Sequence, residues 1–179
     1  MSDEGASEKY SVTFRLDNAV LNRLRTLAKH EGISLNTLAN QVFRNFVEWD
    51  ATATKAGWLV FHKTALREII NSVDEDTLEK LAVQTADYVK DVTLIMSERH
   101  DLESYLSMLR NRAKKSGFVL IESHRGPNKR LILQHDMGKN WSSFFKAHYE
   151  RMLQNLGFPA KFEQTDNTLV IDLQEHPVP

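Results

Sequence analysis

The chain has 179 residues, of which 41% are hydrophobic, and its formal net charge at pH 7 is −1. This length predicts one domain or two small ones, and the near-neutral charge argues against a uniformly basic surface. The absence of cysteine excludes disulfides, thiolate catalysis and cysteine-ligated metal sites. The first nine residues are polar and acidic, unlike a signal peptide, and no apolar run approaches the roughly 20 residues that span a bilayer. We therefore expect a cytoplasmic protein.

Residues 1–9 have the composition of a flexible arm, and the pattern of a short strand begins directly after them. In residues 10–16, apolar and polar side chains alternate, and alternate side chains of a strand lie on opposite faces. The apolar face consists of Val12, Phe14 and Leu16. The polar face consists of Ser11, Thr13 and Arg15.

Two helices are predicted after this strand. Asp17 stands where its carboxylate could cap the first helix, and Gly32 is placed to end that helix in the left-handed conformation. Ser34 is placed to cap the second helix. Apolar residues recur at three- and four-residue spacing in both helices. They are Val20, Leu21, Leu24, Leu27 and Ala28 in the first, and Leu35, Leu38, Ala39, Val42, Phe43, Phe46 and Val47 in the second.

The order of these features resembles the ribbon-helix-helix (MetJ/Arc-type) family of DNA-binding transcriptional regulators, which includes prokaryotic and phage repressors. The connector of residues 32–36, Gly-Ile-Ser-Leu-Asn, is part of the resemblance, which covers residues 10–49 and no more of the chain. It implies a homodimer in which the first strands of two copies form an antiparallel ribbon that enters the major groove of DNA.

The size of this segment independently favours a dimer. A segment of about 40 residues is too small to build a stable core without help. A lone strand also leaves the backbone groups on both of its edges unpaired. Pairing with the same strand of a second copy would satisfy the backbone groups and bury the apolar face.

On such a ribbon, Ser11, Thr13 and Arg15 would contact DNA bases, because hydroxyl and guanidinium groups match the base edges in the major groove. In the family, the start of the second helix holds the DNA backbone. Here those phosphate contacts would fall to Ser34, Leu35 and Asn36, because free N–H groups at a helix start attract anions. Residues 9–49 carry six basic and three acidic residues, a formal charge of +3, so the remainder carries −4.

A second domain is predicted over residues 58–174, after a small, polar linker at residues 50–57 and before a tail at residues 175–179. It begins with the apolar run of residues 58–61, interpreted as a strand or a helix anchor. Helices follow over residues 64–73, over residues 76–96 behind an acidic start, and from Asp101 to a basic last turn (Arg112, Lys114 and Lys115) before Gly117.

The last part of the second domain is predicted to be β-β-α-β-β. The strands are residues 118–123, 131–134, 160–165 and 168–173, and the helix is residues 140–156. This order suits a four-stranded antiparallel sheet with one helix packed on it. Aromatic residues Trp141, Phe144 and Phe145 are interpreted as core packing. The predicted fold class is therefore α+β, with a ribbon-helix-helix dimerisation and DNA-binding domain, a helical segment and a small antiparallel-sheet domain.

Four residues of the second domain could bind an effector or a metal ion: His124, His135, Asp136 and His148. The alternative is that Asp136 caps the following helix, Gly138 permits the turn and the histidines make local hydrogen bonds. Nickel-responsive members of the family use a cysteine ligand, so their site is not carried over to this chain. No cofactor is required by the sequence, and any effector or metal ion is unidentified.

No nucleophile elbow, glycine-rich phosphate loop or metal-hydrolase spacing is present, so the sequence does not predict an enzyme. It predicts a nucleoid-associated transcriptional regulator, a repressor, that binds double-stranded DNA as a homodimer or a higher oligomer and does not bind membranes. Two alternatives stay open. One is an antitoxin-type autoregulator whose C-terminal domain binds a partner protein. The other is a metal- or ligand-binding protein or small enzyme that uses its N-terminal domain, residues 10–49 (the head), only to dimerise.

Overall fold

The computed structural model describes residues 10–126 and 128–174, so the predicted arm (residues 1–9) and tail (residues 175–179) lie outside the described residues. The chain divides into two compact units, the first ending at Asn45 and the second beginning at Phe46. The helices are α1 (Asn18–His30), α2 (Leu35–Asn45), a π-helical turn (Phe46–Asp50), α3 (Ala51–Ala53), α4 (Lys63–Asn71), α5 (Glu75–Asp87), α6 (Val89–Ser97), α7 (Leu102–Ser116) and α8 (Lys139–Asn155). The strands are β1 (Val119–Arg125), β2 (Asn128–Gln134), β3 (Ala160–Gln164) and β4 (Thr168–Gln174).

The two predicted helices of the first unit are confirmed as α1 and α2. Gly32 ends α1 with a φ of 66°, and the N–H of Ile33 donates to the carbonyl of Ala28 across that turn. Asp17 occupies the predicted cap position of α1, but its side chain makes no capping hydrogen bond. The predicted position of the cap residue is therefore confirmed, but the predicted hydrogen bond from a backbone N–H to the Asp17 carboxylate is not formed.

The strand predicted over residues 10–16 is not formed by the single chain, since residues 10–17 have no regular secondary structure. A strand is defined by hydrogen bonds to a neighbouring strand, and the predicted neighbour of residues 10–16 is the same segment of a second copy. The ribbon therefore stays a prediction.

The second unit begins earlier than the sequence indicates. Trp49 and Ala53 are 7% and 8% exposed and belong to the core of the second unit. The ring of Trp49 lies 5.3 Å from that of Trp58, centroid to centroid. Residues 50–57, predicted as a linker, are therefore part of the second unit. The run predicted as a strand or helix anchor, residues 58–61, has no regular secondary structure.

The single helix predicted over residues 76–96 is two helices, α5 and α6, divided at Tyr88. The start is as predicted, because the carboxylate of Asp74 accepts a hydrogen bond from the N–H of Thr77 at 2.9 Å. The two halves pack on different partners: α5 lies against α8, whereas α6 lies against α7. The division follows from this packing, since one straight helix presents a single stripe to the core.

The four-stranded antiparallel sheet and its β-β-α-β-β connection are confirmed, with strand order β1-β2-β4-β3. In the centre of the sheet, Leu131 pairs with Ile171 and Leu133 with Leu169, and all four side chains are buried. Helix α8 connects β2 to β3 and packs against β3 and β4. The second unit is therefore an α+β unit whose core lies between one sheet face and its helices. Among the described residues, no helix is both long and apolar enough to cross a membrane.

Candidate nucleic-acid interface

The three predicted base-contacting side chains, Ser11, Thr13 and Arg15, are exposed. The alternating apolar residues of the same segment are exposed as well: Val12 is 70%, Phe14 is 58% and Leu16 is 50% exposed. Both faces of residues 11–16 are therefore open in the single chain. A polar side chain is stable in water, whereas exposed apolar side chains that lie close together are unusual on the surface of a folded monomer.

The exposed apolar side chains of the first unit extend from this segment onto both helices. Within residues 10–45 the only fully buried apolar side chains are Ala28 and Leu38. The side chains that are about half exposed or more, which we call the head apolar set, are Tyr10, Val12, Phe14, Leu16, Val20, Leu27, Val42 and Phe43. Two buried side chains do not make a core that stabilises a folded unit of this size.

The start of α2 is a helix N-terminus that is capped by a side chain. The hydroxyl of Ser34 accepts from the N–H of Thr37 at 3.0 Å, so Ser34 is the cap that the sequence predicts. The first amide in the α-helical ladder is that of Leu38, which donates to the carbonyl of Ser34. The amides of Leu35 and Asn36 precede it, so they have no acceptor within the helical ladder.

The first unit carries a net positive charge. Over residues 10–45 there are five basic and two acidic residues, a formal charge of +3. The basic side chains are all exposed: Arg15, Arg23, Arg25, Lys29 and Arg44.

The four residues proposed as a ligand or metal site in the second unit are not brought together. His124 on β1 pairs in register with Lys129, whereas His135 follows the far end of β2. Opposite ends of one hairpin cannot share an ion. Within the described residues, no group of three or more histidine, aspartate or glutamate side chains is placed to hold a metal ion.

His135 instead joins the end of β2 to the start of α8. Its Nδ1 accepts from the N–H of Met137 at 3.2 Å, so the ring proton is on Nε2, which donates to the hydroxyl of Ser142 at 2.9 Å. His135 and Ser142 are 1% and 0% exposed. Burial lowers the pKa of His135 to about 4, assisted by the charge of Lys63 and opposed by Asp136. The residue is a neutral structural link, as the local-bonding alternative expected.

His148 lies within the helical core. Its Nδ1 is 3.2 Å from the hydroxyl of Thr85, which itself donates to the carbonyl of Ala82. The imidazole must therefore donate from Nδ1, and its Nε2 is a buried acceptor without a partner among the described residues. Burial, then the nearby charge of Arg112, lowers the pKa of His148 to about 3.

Asp136 does not cap α8, so the alternative prediction of Asp136 as the cap of that helix is wrong. It has a φ of 49° and forms an ion pair with Lys63, and the residue before α8 is Gly138 with a φ of 91°. The side chain of Asn140, in the first turn of α8, donates to the carbonyls of Ile70 and Val73 at 3.1 Å. The side chain of Asn140 therefore links α8 to the end of α4 and to the turn after it.

Aromatic side chains surround Arg112, and the sequence did not predict this arrangement. From the sequence, Arg112 was assigned only to the basic last turn of its helix. The Arg112 guanidinium carbon lies 5.6 Å from the ring centroid of Trp58, 4.8 Å from that of Phe145 and 5.6 Å from that of Tyr149. With Tyr105, whose ring is 6.3 Å from that of Tyr149, these residues form what we call the Arg112 cluster. Its members come from distant parts of the chain, so no local pattern could reveal it.

No protein-family model matches this chain, and a search of curated proteins finds no matching sequence.

Proposed function

We propose that the protein is a homodimeric, sequence-specific DNA-binding transcriptional regulator that acts as a repressor. Its reading element would be a two-stranded antiparallel ribbon made of residues 10–16 from two copies. Ser11, Thr13 and Arg15 of each copy would contact base edges in the major groove. Ser34, Leu35 and Asn36 would bind the flanking phosphates and fix the register of the protein on DNA.

One observation supports this proposal most directly: in residues 11–16, where apolar and polar side chains alternate, both kinds of side chain are exposed. Val12 and Phe14 are more than half exposed. A second copy of the chain would bury these apolar side chains, which is favourable because it removes apolar surface from water. If that face is covered, the alternation leaves Thr13 and Arg15 on the opposite face, pointing outward. A dimer and a DNA-reading surface thus follow from one arrangement of side chains.

The second unit would serve the regulator as a sensing or oligomerisation domain. It has a core of its own, built on the sheet and on α5 to α8, so it does not depend on the head for its apolar burial. By composition, residues 10–45 carry a net positive charge, whereas the second unit carries a net negative charge. DNA is an anion, so these charges favour contact of DNA with the first unit rather than with the second.

The test is selection of bound duplexes from a random DNA pool by the full chain. We expect enrichment of one motif with two-fold symmetry, because a two-fold dimer presents the same side chains to both half-sites. Sedimentation of the same preparation should show a dimer at the concentration used. A dimer that enriches no sequence would contradict DNA reading and leave the head as a dimerisation element. A monomer that enriches a motif would contradict the ribbon.

A further inference from the structure

The Arg112 cluster contains a partly buried positive charge without a carboxylate partner. The guanidinium of Arg112 donates to the hydroxyl of Tyr149 at 2.7 Å. Among the residues that the structure describes, no aspartate or glutamate lies within ion-pair distance of it. By contrast, Arg110, two residues earlier on α7, donates to both Glu103 and Glu122. Taking a cation out of water is costly unless an anion or a full set of hydrogen bonds compensates it.

Two polar side chains of the Arg112 cluster also lack hydrogen-bond partners among the described residues. The Nε1 of Trp58 and the hydroxyl of Tyr105 are buried and make no hydrogen bond within the described part of the chain. Tyr105 is 3% exposed, and burial raises the pKa of its hydroxyl, a shift that the nearby charge of Arg112 opposes. Buried polar groups in folded proteins nearly always have a partner, and where the protein supplies none, a water or a ligand does.

The polar side-chain groups of this cluster can all donate hydrogen bonds. The indole N–H of Trp58 can only donate, the Tyr105 hydroxyl can donate, and the guanidinium carries further N–H donors beyond the one that Tyr149 accepts. A set of donors around a positive charge is matched by an anionic acceptor better than by water, because a hydrogen bond with an ionised acceptor is roughly twice as strong as a neutral one. A planar guanidinium pairs with two oxygens of a carboxylate or a phosphate at once.

We propose that the Arg112 cluster is a binding site for a small ligand with a carboxylate or phosphate group, held by Arg112, the indole N–H of Trp58 and the hydroxyl of Tyr105. The rings of Phe145 and Tyr149 would limit the access of water to the ion pair and so strengthen it. The site lies wholly in the second unit. The proposal does not depend on DNA binding and would hold for a sensing domain of any kind.

The experiment is titration of the full-length protein with sodium phosphate and, separately, with sodium acetate, at an ionic strength held constant with sodium chloride. The indole N–H signals of the three tryptophans report the binding by nuclear magnetic resonance, and the signal lost in Trp58→Phe identifies Trp58. We expect the Trp58 signal to shift along a saturable curve with at least one of the two anions. Saturation by phosphate alone would assign a phosphate ligand, and saturation by acetate alone or by both would assign a carboxylate-accepting site.

Arg112→Gln should abolish the saturable shift. The matched control is Arg99→Gln, because Arg99 is an exposed arginine that pairs with Asp101 and should leave the shift unchanged. If Arg112→Gln fails to fold, Arg112→Lys keeps the charge without the planar pair of donors and should weaken binding about tenfold, or ~1.4 kcal/mol. Tyr105→Phe should weaken binding several-fold without reducing the melting temperature of the anion-free protein, because its hydroxyl has no partner to lose.

Three results would overturn the proposal. One is a Trp58 signal that neither anion shifts. Another is an equal shift in Arg112→Gln, or in Arg112→Lys where that variant replaces it. The third is a Tyr105→Phe protein that melts at a clearly lower temperature without anion, which would mean that the hydroxyl already has an internal partner.

Discussion

The ring of Phe14 lies against the ring of Phe43, with centroids 5.2 Å apart and planes inclined at 36°. This contact fixes the segment before α1 onto α2 and brings the ends of the first unit together. Even so, Phe14 remains 58% exposed and Phe43 remains 48% exposed. An aromatic pair with half its surface in water is only part of a packing arrangement, and the proposed second copy would supply the remainder.

The first prediction concerns the dimer. Phe43→Asp should convert the protein to a monomer and remove the dependence of its unfolding midpoint on protein concentration, because folding and association are linked in a small dimeric head. The measurement is equilibrium sedimentation with thermal unfolding at several concentrations. Val60→Asp places the same charge at a fully exposed residue of the second unit and should leave the dimer intact. A dimer that survives Phe43→Asp would exclude the head apolar set from the interface.

The second prediction concerns base reading. The double variant Thr13→Ala, Arg15→Ala should lose the preference for the selected DNA over random duplex while remaining a folded dimer, because both side chains are exposed and outside the core. Loss of one bidentate arginine contact alone should cost about 1–3 kcal/mol of discrimination. The measurement is competition binding at one fixed salt concentration.

The matched control for base reading is Arg23→Ala with Thr26→Ala. These residues are an exposed arginine and an exposed threonine of α1, so the control removes the same groups from elsewhere on the same unit. It should retain the preference for the selected DNA. If Thr13 and Arg15 can be removed without loss of that preference, another surface reads the sequence.

The third prediction concerns phosphate contact at the start of α2. Asn36→Asp should weaken binding to selected and random duplex to the same extent, by roughly tenfold or ~1.4 kcal/mol, because it places a negative charge against the DNA backbone. An acidic residue in the first turn of a helix is favourable, so the unfolding temperature should not fall. Binding to both duplexes is measured by fluorescence anisotropy. A change confined to the selected duplex would mean that Asn36 contacts a base instead.

The fourth prediction concerns pH. His135 is held neutral in the folded protein, with a pKa lowered to about 4, and His148 shifts in the same direction. Between that value and the ordinary histidine pKa of about 6.5, the unfolded chain binds more protons than the folded chain, so stability falls as the pH falls. For His135 the loss of stability therefore grows as the pH falls from about 6.5 towards 4.

Urea unfolding at pH 7 and pH 5 tests this prediction. The double variant His135→Gln, His148→Gln should show a clearly smaller drop in unfolding free energy between the two pH values than the wild type. Met137→Leu changes a core side chain next to His135 without removing a titratable group, so it should keep the wild-type drop. An undiminished drop in the double variant would place the responsible groups elsewhere.

Local signals in the sequence were sufficient for much of the fold. The cap at Ser34, the acidic start at Asp74 and the left-handed turn at Gly32 each depend on a few consecutive residues, so α1, α2 and the start of α5 could be predicted. The β-β-α-β-β order could be predicted for the same reason, because strand period and turn residues are local properties.

Other features depend on residues that are far apart in the chain, and only the tertiary structure decided them. Trp49 joins the second unit because Trp58 and the core offer it apolar contacts, although the polar residues between them read as a linker. His135 is a structural link rather than a ligand because Ser142 and Met137 satisfy both ring nitrogens. The Arg112 cluster joins a segment before α4 to α7 and α8. Hydrogen-bond partners and burial are set by packing between elements, and no periodicity within one element encodes them.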